Sequence, residues 1–185
     1  MKGIVFNLLE EAVGQDHGEA TWDALLEHAK LDGAYTSLGN YPDEHLGRIV
    51  AAASAALKVT PDDVVRWAGR KLLPLLAQRY PAFLTPHRAT RPFLLTLNSL
   101  IHPEVRKLYP GADAPDFDFD TNSPDVLVMR YRSKRKLCSL ALGMIESAAA
   151  HFGEAAIIEH PQCMKHGAEC CEFRIAFKAL AAKAA

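Results

Sequence analysis

The chain has 185 residues, 49% of them hydrophobic, and a formal net charge of −1. That length suits one globular domain with a sizeable core, and the near-neutral charge gives no electrostatic footprint for nucleic acid or an anionic membrane surface. The apolar segments are too short or too interrupted to span a bilayer, and the opening "MKGIVFNLLEEAV" lacks the parts of a secretory signal.

The first half reads as helical. "IVFNLLEEAV" has mixed helical periodicity, and "TWDALLEHAK" resumes it with Thr21 as the expected N-cap. "NYPDEHLGRIVAAASAAL" opens with Pro42 near a first helical position and becomes alanine-rich. "TPDDVVRWAGRKLLPLLAQRY" has the clearest start, with Thr60 as cap, Pro61 at the first position, and Asp62 and Asp63 against the helix dipole. Pro74 is expected to kink or end that helix. "FLLTLNSLIHPEVRKL" places Leu94, Leu97, Ile101, Val105 and Leu108 at spacings of 3, 4, 4 and 3, an apolar stripe with His102 at its margin.

The period then changes. "DAPDFDFD" reads as a solvated loop and strand entry without the calcium-loop pattern, and "DVLVMRYRSKRK" as a strand. A helix over "LCSLALGMIESAAAHFG" ends at Gly153, and "EAAIIEH" and "CEFRIAF" form two more strands. The alanine-rich tail "ALAAKAA" is expected to fray. Helices first and strands later predict an α+β domain with a mainly antiparallel sheet.

Two features carry chemistry when taken together. A lone histidine beside an apolar stripe is usually a satisfied, partly buried side chain, but a neutral imidazole there can also ligate iron. On an extended chain, Tyr131, Ser133 and Arg135 of "YRSKR" point to one face, where two hydroxyls and a guanidinium suit a carboxylate. The plain alternative is an amphipathic edge strand; a nucleic-acid reading lacks stacking aromatics. A histidine on a helix followed 29 residues later by a carboxylate clamp is what a noncovalent heme with two propionates needs, and no C-x-x-C-H is present for covalent attachment.

The third feature is a cysteine cluster. Cys138, Cys163, Cys170 and Cys171 all lie in the last third, two of them adjacent, which argues for reduced thiols or a metal in a cytoplasmic protein. His160 and Cys163 with Cys171 and Cys138 match a closed structural zinc site, with unliganded thiols the alternative. Cys170 or His166 could replace a ligand. A catalytic zinc is disfavoured, because one histidine and three thiolates would fill its coordination shell. Trp22 and Trp67 read as core. Asp43, Glu44 and His45 open a helix; an ion pair with Arg135 is open to them, but nothing in the sequence supports it.

With "MKGIVFN", "HPEVRKLYP", Pro115 and "YRSKR" in this order, the chain resembles the heme nitric oxide/oxygen binding (H-NOX) family, related to the sensor domain of soluble guanylate cyclase. The resemblance implies heme b between a helical distal lobe (about 1–60) and a proximal lobe (about 61–185). It implies His102 as iron ligand, Tyr131, Ser133 and Arg135 as propionate clamp, and Pro115 packed on the porphyrin. Some relatives carry zinc on residues matching Cys138, His160, Cys163 and Cys171. Oxygen-binding members have a distal tyrosine and an indole where this chain has Leu140 and Leu9. A nitric oxide and carbon monoxide sensor that forms no stable oxygen complex is therefore expected. It would be a signalling module rather than an enzyme, acting by weakening the histidine–iron bond. Its partner would be a separate histidine kinase or cyclic-di-GMP enzyme, because no effector motif is present. The rival reading is a zinc/thiol redox switch, in which the cysteine cluster senses oxidants.

Overall fold

The computed structural model describes residues 1–180. It is a mixed fold in which helices pack with a four-stranded antiparallel sheet, as expected. Helices α1 (Gly3–His17) and α2 (Glu19–Ala29) come first. Thr21 does not cap α2: Gly18 takes that place with φ of 87°, so α2 starts earlier than expected. The Thr21 hydroxyl instead donates to the His17 carbonyl at 2.7 Å.

Helix α3 (Asp43–Leu57) follows Pro42, with Asp43 and Glu44 in its first turn. Helix α4 (Pro61–Arg79) opens on a capping box between Thr60 and Asp63. Pro74 does not end it. Leu72, Leu73 and Leu75 around it are buried in two different cores, and that packing outweighs the roughly 3 kcal/mol a proline costs inside a helix.

The segment bearing His102 is one helical run in three parts: α5 (Thr90–Leu95), a π-helical turn (Leu97–Ile101) and α6 (His102–Leu108). Pro103 accounts for the wide turn. It has no N–H, and its ring would strike the carbonyl four residues back; widening the helix relieves both problems. The Ile101 N–H accordingly donates to the Thr96 carbonyl at 3.0 Å, five residues back. The Asn98 amide ties the turn to the first strand, donating to the Phe117 carbonyl and accepting from the Phe117 N–H at 3.3 Å. The expected apolar stripe holds except at its last residue. Leu94 and Ile101 are buried and Leu97 and Val105 pack against the core, but Leu108 is exposed.

Strands β1 (Asp116–Asp120), β2 (Val126–Arg132), β3 (Glu154–Gln162) and β4 (Cys171–Ala179) are ordered β1-β2-β4-β3, every pair antiparallel. The loop and strand entry expected at "DAPDFDFD" resolve into strand β1 over "DFDFD": its alternation buries Phe117 and half-buries Phe119 between acidic neighbours. Helix α7 (Cys138–His151) runs back along the sheet and α4. The tail expected to fray lies, from residue 181 onward, outside the described residues.

One core gathers around Phe6, Leu8, Trp22 and Ile49; the other gathers around Leu127, Met129, Ile145 and Phe173. Helix α4 serves both, and it crosses α7 at two glycines. A Cβ on Gly69 would lie 2.3 Å from the Leu140 carbonyl oxygen, and one on Gly143 would lie 2.0 Å from that of Arg66. No side chain fits there, so the helices meet backbone to backbone.

Gly143→Ala is therefore expected to force α4 and α7 apart and cost about 1–3 kcal/mol in urea unfolding. Gly47→Ala, on α3 with nothing within 4 Å of the added Cβ, should be neutral or stabilising in the same experiment.

Candidate functional site

Two separate groups of side chains have the composition of ligand sites, and each contains a buried imidazole nitrogen without a hydrogen-bond partner. These are His102 Nδ1 and His160 Nε2. His87 Nε2 shares the property but belongs to neither group, its ring standing edge-on to Phe93 at 5.7 Å.

His102 opens α6 directly after the π turn, its ring 5.6 Å from that of Phe117. Burial pushes its pKa down to about 4, and the charge of Arg106 adds to this; the Pro115 main chain and Asp116 act in the opposite sense. The imidazole is therefore neutral at pH 7, the form that can ligate a metal.

Tyr131 is buried at the end of β2, 5.8 Å from Phe117. Its hydroxyl accepts the Leu137 N–H at 3.0 Å. Burial raises its pKa, while Ser133 and that N–H oppose the rise. The expectation of a single extended Y-x-S-x-R segment needs correction. The strand stops at Arg132, and Ser133, Lys134 and Arg135 lie at a turn closed by Lys136 N–H donating to the Ser133 carbonyl at 3.1 Å.

Arg135 is mostly buried and engages two carboxylate residues: Asp43, a pairing left open but unsupported by the sequence, and Asp113, which sequence reading missed. Its Nε donates to Asp43 at 2.8 Å, and Nη1 donates to the Asp113 carbonyl at 2.6 Å and its carboxylate at 3.2 Å. Nη2 has no partner among the described residues. Asp43 also receives the N-terminal ammonium at 2.7 Å. Burial alone would raise its carboxyl, but the hydrogen bonds from the ammonium and Arg135 hold it below the usual range. Only a charge at a helix start marked Asp43 in the sequence, and nothing there pointed to residue 135.

Leu9 and Leu140 border one apolar cleft, together with Val5 and Leu72. The side chains fit an iron porphyrin in kind: a neutral imidazole without a partner, a guanidinium that already binds carboxylates with two donors free, and an apolar wall.

The second group is Cys138, His160, Cys163 and Cys171, whose ligand atoms all lie within 4.8 Å of one another. The Cys163 sulfur is 3.8 Å from that of Cys138 and 3.9 Å from that of Cys171. Tetrahedral thiolates on zinc, with bonds of about 2.3 Å, stand roughly 3.8 Å apart, whereas a disulfide brings sulfurs to about 2 Å. The residues therefore fit a four-coordinate zinc. Cys170 and His166, the possible substitutes, are outside the group. Burial pushes the Cys171 thiol up to about 12, with its neighbouring thiols contributing, and burial also raises Cys138. Cys138 and Cys171 give up their protons together only to a cation. Asp62 stands beside them, accepting from Ser139 at 2.9 Å and from Lys165.

The Haem-NO-binding family model matches residues 2–160. An H-NOX protein from S. oneidensis in the Fe(II)NO ligation state is 34% identical, with a TM-score of 0.90 over 96% of this chain and 99% of that one. The SO2144 H-NOX domain from Shewanella oneidensis in the Fe(II)CO state is 34% identical, with a TM-score of 0.87 over 96% and 99%. The Fe(II) unliganded H-NOX protein from K. algicida is 26% identical, with a TM-score of 0.87 over all of both chains. Among curated proteins, none matches.

Because the His102 pKa is about 4 when folded and near 6.5 when unfolded, the unfolded chain takes up the proton first as pH falls. In protein free of metals, the stability linked to this group is complete above pH 6.5 and is lost between 6.5 and 4. Its slope is at most about 1.4 kcal/mol per pH unit. Denaturant unfolding across that window should show the slope in the native chain and its reduction in His102→Leu.

Proposed function

Since the chain belongs to the haem-NO-binding (H-NOX) family, a family of heme-based gas sensors, we propose that it senses nitric oxide, and also binds carbon monoxide, without forming a stable oxygen complex. The observation that carries this choice of ligand is the apolar cleft bordered by Leu9 and Leu140, neither of which can donate a hydrogen bond. Bound oxygen has superoxide character and needs a donor, whereas nitric oxide and carbon monoxide need one far less. The Fe(II)NO and Fe(II)CO states named for the Shewanella relatives support the same pair of ligands.

Heme b, if bound, would supply the iron that takes up the gas, and nitric oxide there would act on the protein by weakening the iron's hold on His102. His102 would hold the iron from α6, Tyr131, Ser133 and Arg135 would bind the propionates, and Pro115 would pack on the porphyrin. A free imidazole leaves α6 held by its protein contacts. Asn98 binds the main chain of Phe117, and the Tyr109 hydroxyl meets that of Tyr80 at the end of α4. Displacement of α6 against those contacts moves the proximal lobe (about 61–185) relative to the distal lobe (about 1–60). That gives two states for a partner to distinguish, and the gas shifts them only by its differential affinity.

The chain is a signalling module rather than an enzyme and acts in the cytoplasm on a separate histidine kinase or cyclic-di-GMP enzyme. Nothing in it suggests a nucleic-acid or membrane partner; no described helix is long and apolar enough to cross a membrane. Cys138, His160, Cys163 and Cys171 bind a structural zinc.

A second reading is favoured by the cavity of about 340 Å³ over the thiols, which Cys163, Lys165, His166 and Asp62 help to line. An oxidant reaching it could take two electrons from a pair of thiols, release the zinc and make the cluster itself the sensor.

An anaerobic absorption spectrum of the dithionite-reduced protein should show a Soret band that shifts with nitric oxide and with carbon monoxide but not in oxygen. A stable oxygen complex would overturn the choice of gas, and failure to take up heme would overturn the sensor reading. His102→Ala should abolish the effect of nitric oxide on a partner while leaving any response to oxidants intact. Cys163→Ser should do the reverse if the thiols are the sensor.

A further inference from the structure

The two candidate sites share one short piece of chain. Residues 133–137 carry Ser133 and Arg135 and run from Tyr131–Arg132 at the end of β2 to Cys138, the first residue of α7. Both sites therefore hold the ends of the same loop.

The loop is also tied to itself and to both sites. Leu137 N–H donates to the Tyr131 hydroxyl at 3.0 Å, immediately before the first thiol. Lys136 takes φ of 51°, a left-handed conformation that a lysine keeps only where its surroundings impose it. Across the sheet, Tyr131 pairs directly with Cys171.

Below the loop, a file of packed rings joins the two unpartnered imidazoles. Centroids are 4.8 Å apart from His160 to Phe173, 6.3 Å from Phe173 to Tyr131, 5.8 Å from Tyr131 to Phe117, and 5.6 Å from Phe117 to His102.

We propose that metal binding by Cys138, His160, Cys163 and Cys171 governs how tightly the protein holds heme, by fixing the 133–137 loop that carries the carboxylate-binding side chains. The inference rests on the heme and zinc readings above.

The physical basis is preorganisation. A metal bonded to Cys138, to His160 and Cys163 at the β3 end, and to Cys171 at the start of β4 pins the first turn of α7 to the sheet. The loop then has both ends fixed, and Ser133 and Arg135 lose less conformational freedom when they close on a carboxylate. Without the metal, the Cys138 sulfur meets only the weak contacts of its neighbouring thiol and His160 keeps an unsatisfied buried nitrogen. Core packing and the hydrogen bonds from Leu137 to Tyr131 and from Ser139 to Asp62 still hold the start of α7, but nothing among the described residues bonds it directly to β3 and β4. Linkage is reciprocal: whatever factor the metal adds to heme affinity, heme adds to metal affinity. Metal availability and gas binding thereby act on one output.

The test uses full-length heme-loaded protein at a series of free zinc concentrations set by a chelator. Heme loss to excess apomyoglobin is followed by absorbance, zinc content by mass spectrometry, and fold by far-ultraviolet circular dichroism. Zinc-free protein should lose heme about tenfold faster than zinc-loaded protein. The rate should track zinc occupancy, return on adding zinc, and change without loss of helical signal.

His160→Ala removes one ligand and keeps the three thiols in place. It should shift both the zinc titration and the heme-loss midpoint to the same higher zinc concentration. Zinc bound with heme loss unchanged would overturn the coupling and leave both sites standing. Equal zinc affinity in heme-free and heme-loaded protein would overturn it too. No zinc uptake at all would overturn the coupling together with the zinc reading, and no heme uptake would overturn it together with the heme reading.

Discussion

A buried imidazole nitrogen with nothing to bond costs about 1–3 kcal/mol, and the chain carries this cost at both His102 and His160. Much of the architecture around His102 keeps that unfavourable group in place. Pro103 widens the preceding turn, Asn98 fastens the turn to β1, and Phe117 covers the ring. Such an arrangement contributes little to folding by itself. It holds a neutral nitrogen ready for a cation, and the same holds for His160 among its three thiols.

The connections between the two cores differ in kind. Where α4 crosses α7, Gly69 and Gly143 allow backbone contact, and Glu146 takes both Arg66 and Arg70 beside the crossing. That junction is close because no Cβ stands between the two backbones. On the other side, Arg135 joins Asp43 at the start of α3 to Asp113 ahead of β1. An ion pair between partly exposed carboxylates and a guanidinium is worth little and can exchange partners. Relative motion of the cores would therefore turn about the glycine crossing and open at Arg135.

How much of this was legible in the sequence varies with the physics behind each feature. Helix α4 announced its start because a cap, a proline and two acidic residues act within one turn. The strands β2, β3 and β4 showed in their apolar content. Strand β1 showed only as the entry to a strand, because it is short and acidic and is completed by pairing with β2. Two features did not show. The π turn follows from a proline whose effect depends on what the helix packs against. Asp43 and Asp113 come to Arg135 from 92 and 22 residues away, a meeting that no local pattern encodes. The four metal-binding candidates could be proposed from residue type and spacing, but the exclusion of Cys170 and His166 required the fold. Cys170 precedes Cys171 on the chain, and adjacent residues at a strand start point to opposite faces.

The π turn has one more consequence, for chain length rather than chemistry. A π turn is a helix with one residue inserted, so losing any one residue from 97–101 would leave a more regular helix. It would also rotate everything beyond it by about 100° relative to α5. His102 would leave Phe117. The position can thus tolerate a change of side chain more readily than a deletion. Across related chains the five-residue length of this turn should persist even where its letters drift.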